Sequence, residues 1–324
     1  MKISVALCTY NGEKYIAQQL HSILEQTVSV DEIVLSDDNS GDKTLQIAQE
    51  ILSHSNVSYK ILRNIPAKGV ARNFLDALKL TTGDYCFTCD QDDIWCPDKV
   101  SKFLSYAQMS GKDLYFSDGI LVDADGKPMG NRLWEAYGIR YEQLSEKRLV
   151  DTMLRRPVVT GAAMMVSRKL VESADAAIQD ILHDEWLSML AAVSNSAQAI
   201  NETTFLYRQH GNNVVGAKAQ GFFEKAGIWY KNLWNIGKIR SVYLARMRAF
   251  DLAAEGTEYQ DTVKAAKEFW ETLSSLPNVK KHTQLSIITK LLISKQYARY
   301  YTGLRGYVRD VLSLLPQSRK TTSQ

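Results

Sequence analysis

Over residues 3–90, short apolar runs rich in β-branched side chains alternate with stretches whose apolar residues recur at helical spacing. This alternation limits the fold more than any other feature of the chain. KISVALCTY reads as a strand and EKYIAQQLHSILEQ as a helix, with Ile16, Leu20, Ile23 and Leu24 on one face. EIVLSDD and KTLQIAQEIL repeat the pair, and VSYKILRN, VARNFLDALKLT and GDYCFTCD continue it. Strands separated by helices argue for a mainly parallel sheet with helices on both faces. Ligands of such sheets bind beyond the carboxyl ends of the strands. TYN (9–11), DDNS (37–40) and DQDD (90–93) each fall at such an end, so three polar clusters are expected along one edge.

DQDDIW sets Asp90, Asp92 and Asp93 side by side, where each carboxylate raises the cost of ionising the next. Something must offset that charge. An Asp-x-Asp at a strand end can hold a hard divalent cation, Mg2+ or Mn2+, that also binds the phosphates of a nucleotide. An acidic turn with no ligand is the plain alternative.

The other bounds are broad. A chain of 324 residues, 45% hydrophobic and 23% charged, is ordinary globular material with room for one large domain or a domain with an appendage. The opening MKISVALCTYN turns polar too soon for a signal peptide, and no run of about 18 uncharged apolar residues suggests a spanning helix. A cytoplasmic protein is expected. Cys8, Cys86, Cys89 and Cys96 suit a reducing compartment as buried small side chains, since Cys86-x-x-Cys89 lacks a second pair or a suitably spaced histidine.

KDLYFSDGILVDADG predicts a strand pair with a turn, VVTGAAMMVSRKLV a strand entering a helix, HDEWLSMLAAVSN a helix with an acidic first turn, and AQAINETTFLYRQHG a pair of short strands. From about Phe222 to Leu315 the spacing is mostly helical. Charge divides the same way. Residues 217–324 hold 18 basic and 8 acidic side chains, a balance of +10, whereas residues 1–216 balance to −7.

The pieces ISVALCTYNGEKYI, EIVLSDDNSGDKT, KGVARNF, GDYCFTCDQDDIWCPDKV, TGAAMMVS, HDEW and YRQHGNNVVG together resemble the family 2 inverting glycosyltransferases, over roughly residues 2–216. DQDDIW, HDEW and YRQHGNNVVGA resemble in particular the bacterial rhamnosyltransferase branch, whose members build cell-surface polysaccharides. The resemblance implies an α/β fold of the GT-A nucleotide-sugar-binding type over residues 1–216, with residues 217–324 as a helical, basic C-terminal region. It also implies transfer of a sugar, such as L-rhamnose from dTDP-rhamnose, to a lipid-linked saccharide; a UDP-linked hexose or N-acetylhexosamine is the alternative donor.

By the same resemblance Thr9, Tyr10, Asn11 and Asp38 hold the base and ribose, although Asp38 also suits a plain turn and Asp37 a helix cap. Arg72 and Asn73, after Lys68-Gly69, fall where related enzymes meet the donor. Asp90 touches ribose or metal, Asp92 is the principal metal ligand, and His210 binds metal or diphosphate. Arg208 could face the diphosphate, and Gly211, Asn212 and Asn213 could close over the donor. Asp93 could reach the metal through water or bind backbone N–H groups of the next turn.

Inverting transfer needs a base on the acceptor side to take the hydroxyl proton. The H-D pair selects Asp184, with Glu185 as the alternative and His183 as a packing neighbour. Thr160 and Gly161 could meet the acceptor sugar or lie in a tightly packed strand. Trp95, Trp134 and Trp186 could stack on sugars or fill the core.

In the basic region Lys231, Lys238, Arg240, Arg246 and Arg248, with Trp229, Tyr230, Trp234 and Tyr243, resemble a surface for anionic lipid headgroups. That would place the enzyme at the inner face of the plasma membrane. Packing on the catalytic domain or on a second subunit, as a homo-oligomer, is the other use. Nucleic acid is not an expected partner, because no recognition module accompanies the charge. A nucleotidyltransferase would want a Gly-rich loop near the N-terminus, which TYNGEKY is not, and a sugar-nucleotide-binding protein without turnover has no need of Asp92, Asp184 and His210 together.

Overall fold

The structure is a computed structural model that describes residues 1–174, 181–210 and 235–314. The loop expected at Gly211, Asn212 and Asn213, and Trp229, Tyr230, Lys231 and Trp234 of the basic region, lie outside the described residues.

The chain forms two compact units. The first runs Met1–Thr152 and resumes at Pro157; the second takes Met153–Arg156 and the helices after residue 235. Strands β1 (Ile3–Thr9), β2 (Glu32–Asp37), β3 (Ser58–Arg63) and β4 (Tyr85–Asp90) alternate with α1 (Ile16–Leu24), α2 (Thr44–Ser53) and α3 (Val70–Leu80). The four strands pair in parallel in the order β3-β2-β1-β4. Both sheet faces are covered, so β1 and β2 are buried along their whole length rather than at alternate residues. Ile16, Leu20 and Ile23 of α1 are wholly buried against Val5, Leu7 and Leu35. Each such side chain contributes about 1.5–3 kcal/mol.

The sheet continues beyond β4 with mixed direction. β5 (Ile94–Trp95) and α4 (Lys99–Ser110) lead to β6 (Leu114–Val122), β7 (Pro128–Arg132), α5 (Leu133–Ala136) and α6 (Glu146–Met153). Then come β8 (Met164–Ser167), α7 (Arg168–Ser173), α8 (His183–Val193) and β9 (Ala197–Arg208). The full order is β3-β2-β1-β4-β8-β6-β9-β5, with β7 paired to β6. β8 runs antiparallel to β4 and β6, whereas β6 and β9 are parallel. The two short strands expected in AQAINETTFLYR are one strand of 12 residues. Its register with β6 slips near Asp118, and the irregularity makes the apolar pattern look broken.

The second unit holds α9 (Ile236–Ala253), α10 (Gln260–Ser275), α11 (Lys281–Ile293), α12 (Gln296–Tyr300) and α13 (Leu304–Leu312). Its interior joins Met247, Phe250, Phe269 and Trp270 with a polar group in which Arg240 Nη2 and Tyr297 Oη both donate to Asp310, at 2.7 and 2.6 Å. Arg246 Nη2 donates to the Met153 carbonyl and Tyr243 Oη to that of Arg155, at 2.8 and 2.9 Å. No helix among the described residues is long and apolar enough to cross a membrane.

Candidate functional site

Parallel register brings the three polar clusters to one edge, since Thr9 lies beside Asp37 and Cys8 beside Asp90. Asn11 and Asn39 take left-handed backbone angles, φ 48° and 71°, which short amide side chains tolerate. The loops then lock to one another. Asn11 N–H donates to Ser40 Oγ, and Gly41 N–H donates to Asn11 Oδ1, at 2.8 and 2.9 Å. Gln91 clasps the Tyr10 backbone, accepting from its N–H and donating to its carbonyl at 2.8 and 2.9 Å. A side chain on Gly12 would meet Gln91 Oε1 at 2.1 Å, so this approach needs glycine.

Several expected ligand residues have structural work instead. Thr9 is buried and its Oγ1 donates to Asp37 Oδ2 at 2.8 Å, so its hydroxyl does not face a ligand. Asp37 also accepts from Ser40 N–H, closing the turn instead of capping α2. Asp38 accepts from Lys68 N–H and Gly69 N–H at 2.7 and 2.9 Å and so fixes the loop before α3. Asn73 is buried, donating to the Ser36 carbonyl and accepting from Ser36 Oγ. Arg72 is exposed and pairs with Asp76 at 2.9 Å along the helix. Tyr10, 58% exposed, stands at the rim where a ring could lie on a base.

The acidic cluster divides sharply. Asp93 is buried, Oδ1 accepting from Arg208 N–H at 3.0 Å; the bond is to β9, and not to the turn after it. Burial and the charges of Asp92 and Asp90 push its carboxyl well up. Asp92 Oδ2 lies 2.7 Å from His210 Nε2, both partly exposed, and the His210 ring stacks on Tyr15 with centroids 5.0 Å apart. Burial, then the charges of Asp92 and Asp184, raise Asp90 to about 7.

Arg208 corrects the expectation that it faces a diphosphate. It is 1% exposed, and its guanidinium donates to the carbonyls of Asp92 and Ala124 and to Gln18 Oε1, at 2.7, 3.0 and 2.7 Å. It supports the cluster from beneath. Of the two uses open to the tryptophans, Trp95 and Trp186 take the core one, at 3% and 4% exposure, and Trp134 is buried too.

Opposite the cluster, α8 opens with His183-Asp184-Glu185. Asp184 Oδ2 accepts from Gly161 N–H at 2.9 Å and Oδ1 from Glu185 N–H at 2.8 Å. Burial raises it to about 6 despite these bonds. Gly161 ties it to the strand that carries Asp90, since the Gly161 carbonyl accepts from Thr88 Oγ1 on β4, and the Asp184 charge is one cause of the raised Asp90 carboxyl. His183 is buried and stacks on Phe74 at 3.9 Å; burial holds it neutral, down to about 3. A side chain on Gly161 would meet His183 Nε2 at 2.8 Å, so packing accounts for this glycine without any sugar. Thr160 remains partly exposed beside it.

Asp90 and Asp92 offer the oxygen donors a hard cation takes, with the His210 imidazole beside Asp92, and their crowded charge favours a cation. Among the described residues no three His, Cys, Asp or Glu side chains converge as a metal cage. A cation bound here would have to take its remaining ligands from diphosphate oxygens and water. Tyr15, Gln91 and Lys99 were not singled out by sequence.

A curled α/β sheet with this edge is the GT-A glycosyltransferase fold, and residues 4–174 match the family model described as glycosyl transferase family 2. The chain belongs to that family. A dTDP-rhamnosyl transferase, RfbG of Shigella flexneri, is 32% identical over 251 residues, 69% of this chain and 81% of the relative. TuaG of Bacillus subtilis, a putative teichuronic acid biosynthesis glycosyltransferase, is 27% identical over 67% of this chain and 82% of its own. Among solved structures, residues 1–349 of S. aureus TarS, in complex with UDP-GlcNAc, superpose with a TM-score of 0.61 at 16% identity, covering 97% of this chain and 89% of that one. The chain is a glycosyltransferase.

Proposed function

We propose that the protein transfers L-rhamnose from dTDP-rhamnose, with inversion, to a hydroxyl of a lipid-linked precursor of a cell-surface polysaccharide. The observation that carries the catalytic part is the Gly161 peptide, whose N–H holds Asp184 Oδ2 at 2.9 Å while its carbonyl accepts from Thr88 Oγ1, two residues before Asp90 on β4; both carboxyls are raised above their ordinary range. Asp184 takes the acceptor proton as the acceptor oxygen bonds to the anomeric carbon and the bond to the diphosphate breaks, the electron pair leaving with the diphosphate. Glu185, the other acid of the pair, has its N–H spent on Asp184 Oδ1 and lies one position further into α8. Asp92 and His210, with Asp90, would hold Mg2+ or Mn2+, which when bound offsets charge growing on the leaving diphosphate. Tyr10 and Asn11 line the base and ribose end of the same edge, with Asp38 holding the adjoining loop through Lys68 and Gly69 N–H.

The rhamnose donor is supported by RfbG, which matches this chain over 81% of its own length. UDP-linked donors are the second reading, favoured by WfgD of Escherichia coli, a UDP-Glc-dependent glucosyltransferase 34% identical over 103 residues, 32% of this chain and 44% of its own. Release of nucleoside diphosphate, measured with dTDP-rhamnose, UDP-glucose and UDP-GlcNAc against a diphosphoundecaprenol-linked sugar and Mg2+, decides between them. Turnover confined to a UDP-sugar would reject rhamnose.

Residues 217–324 are assigned to holding the enzyme at an anionic membrane surface. From residue 272 to 309 the chain has seven Lys and Arg and no Asp or Glu, while Leu285, Ile293 and Leu304 stay exposed. Binding should follow vesicles of phosphatidylglycerol, fall with added salt and be absent on phosphatidylcholine. Equal sedimentation with both would point to packing or self-association instead.

A further inference from the structure

Lys99 is completely buried at the start of α4. Its ammonium donates to the Ala162 carbonyl at 2.8 Å, is ringed by aromatic side chains, and lies near enough to the Asp93 and Asp90 carboxyls to interact with their charge. The Trp95 and Phe205 ring centres lie 4.5 and 4.7 Å from Nζ, and those of Phe103 and Phe87 at 5.8 and 5.9 Å. Aromatic faces attract a cation, which lowers the cost of this burial without removing it. A methionine could fill the same cage at no such cost, so packing alone does not account for the charge.

The two acids account for part of it, and the direction of the one hydrogen bond gives the ammonium a second task. Ala162 is the middle residue of the Gly161–Ala163 turn, a single 3-10 turn between the loop from Pro157 and β8. Gly161 N–H, on that turn, holds Asp184 Oδ2 at 2.9 Å, and the Gly161 carbonyl is held in turn by Thr88 Oγ1. The turn is thus pinned from below by Lys99 and Thr88, and presents its free amide to the acid above. Ala162 and Ala163 are packed in the core, and the two hydrogen bonds to the turn's carbonyls fix which way its peptide groups face.

We propose that Lys99 is a positioning residue for sugar transfer, using its caged ammonium to fix the Gly161–Ala163 turn so that the Gly161 amide orients the Asp184 carboxylate. The proposal rests on Asp184 as the base. It assigns a catalytic consequence to a side chain that touches neither donor nor acceptor.

Lys99→Met keeps the stem volume and removes the ammonium. Its kcat should fall on the order of 100-fold, the scale of a small misplacement of a reacting group, with KM for the donor within about twofold of wild type. Lys99→Ala empties the cage, and n-propylammonium at millimolar concentration should restore turnover. A folded Lys99→Met with near-normal kcat, or one whose loss lies in donor KM, overturns the proposal. So does a folded Lys99→Ala that propylammonium leaves inactive. Asp184→Asn in the same assay separates the two ideas. If it retains turnover, the base assignment is wrong and the positioning role falls with it; if it loses turnover while Lys99→Met does not, only the positioning role falls.

Discussion

His210 Nε2 meets Asp92 Oδ2 at 2.7 Å across 118 positions of sequence, and the His210 ring lies against Tyr15. This pair joins the end of β9 to the turn after β4 and sets the two best candidate cation ligands side by side. Asp92→Ala and His210→Ala should each weaken Mg2+-dependent binding of nucleoside diphosphate about tenfold or more, roughly 1.4 kcal/mol. Titration calorimetry with and without Mg2+ measures this. Affinity that ignores the cation in wild type would remove both residues from a metal role.

Asp184→Asn keeps the shape of the side chain and removes its basicity. Turnover should drop by about 10²–10⁴-fold while donor affinity stays the same. In the wild type the carboxyl, raised by burial to about 6, must be ionised to accept a proton. As pH falls through 6, kcat should therefore decline, approaching tenfold per unit. A profile flat from pH 7 to 5 would place the base elsewhere.

Asp90 gives a stability test with a definite sign. Its folded value, about 7, lies above the ordinary carboxylate value, so the folded state favours the protonated form. The contribution is present in full below about pH 4 and is lost as pH rises through 7. Without divalent cation, Tm should fall between pH 5.5 and 8 more steeply in the wild type than in Asp90→Asn. Added Mg2+ should recover more of that loss in the wild type, because binding to the folded state stabilises it by mass action. Identical slopes for the two proteins would count against a strained Asp90.

Gly161→Ala places a methyl where His183 Nε2 sits, 2.8 Å from the new carbon, and that ring is already stacked on Phe74. Overpacking of this kind costs about 1–3 kcal/mol. Urea unfolding should show it, and kcat should fall further than stability alone predicts, because the amide that orients Asp184 moves. Normal kcat in the folded variant would mean the amide contact is dispensable.

The alternation of strands and helices up to β4 was visible in the chain because each element carries its own periodicity. Three acidic and polar clusters could be placed on one edge for the same reason, since parallel strands all end there. Side-chain direction was not visible. Arg208 and Gln18 are 190 positions apart, and only the finished sheet shows that the guanidinium turns inward to Gln18 and the Asp92 and Ala124 carbonyls. The cage around Lys99 was hidden for the same reason, because it closes only when β9 brings Phe205 over Trp95 and Lys99. The register slip between β6 and β9 hid one long strand as two.

The four residues Met153–Arg156 belong with the helices that come after residue 235, although the chain on both sides of them builds the sheet. Their carbonyls are held there by Arg246 and Tyr243. Consequently no single cut divides this protein into its two parts. A chain ended at residue 216 would still carry a tetrapeptide shaped for helices it no longer has, in the stretch leading to the Gly161 turn. Removing the helices would leave the Met153 and Arg155 carbonyls without the Arg246 and Tyr243 donors that hold them, which costs stability wherever those carbonyls cannot reach water.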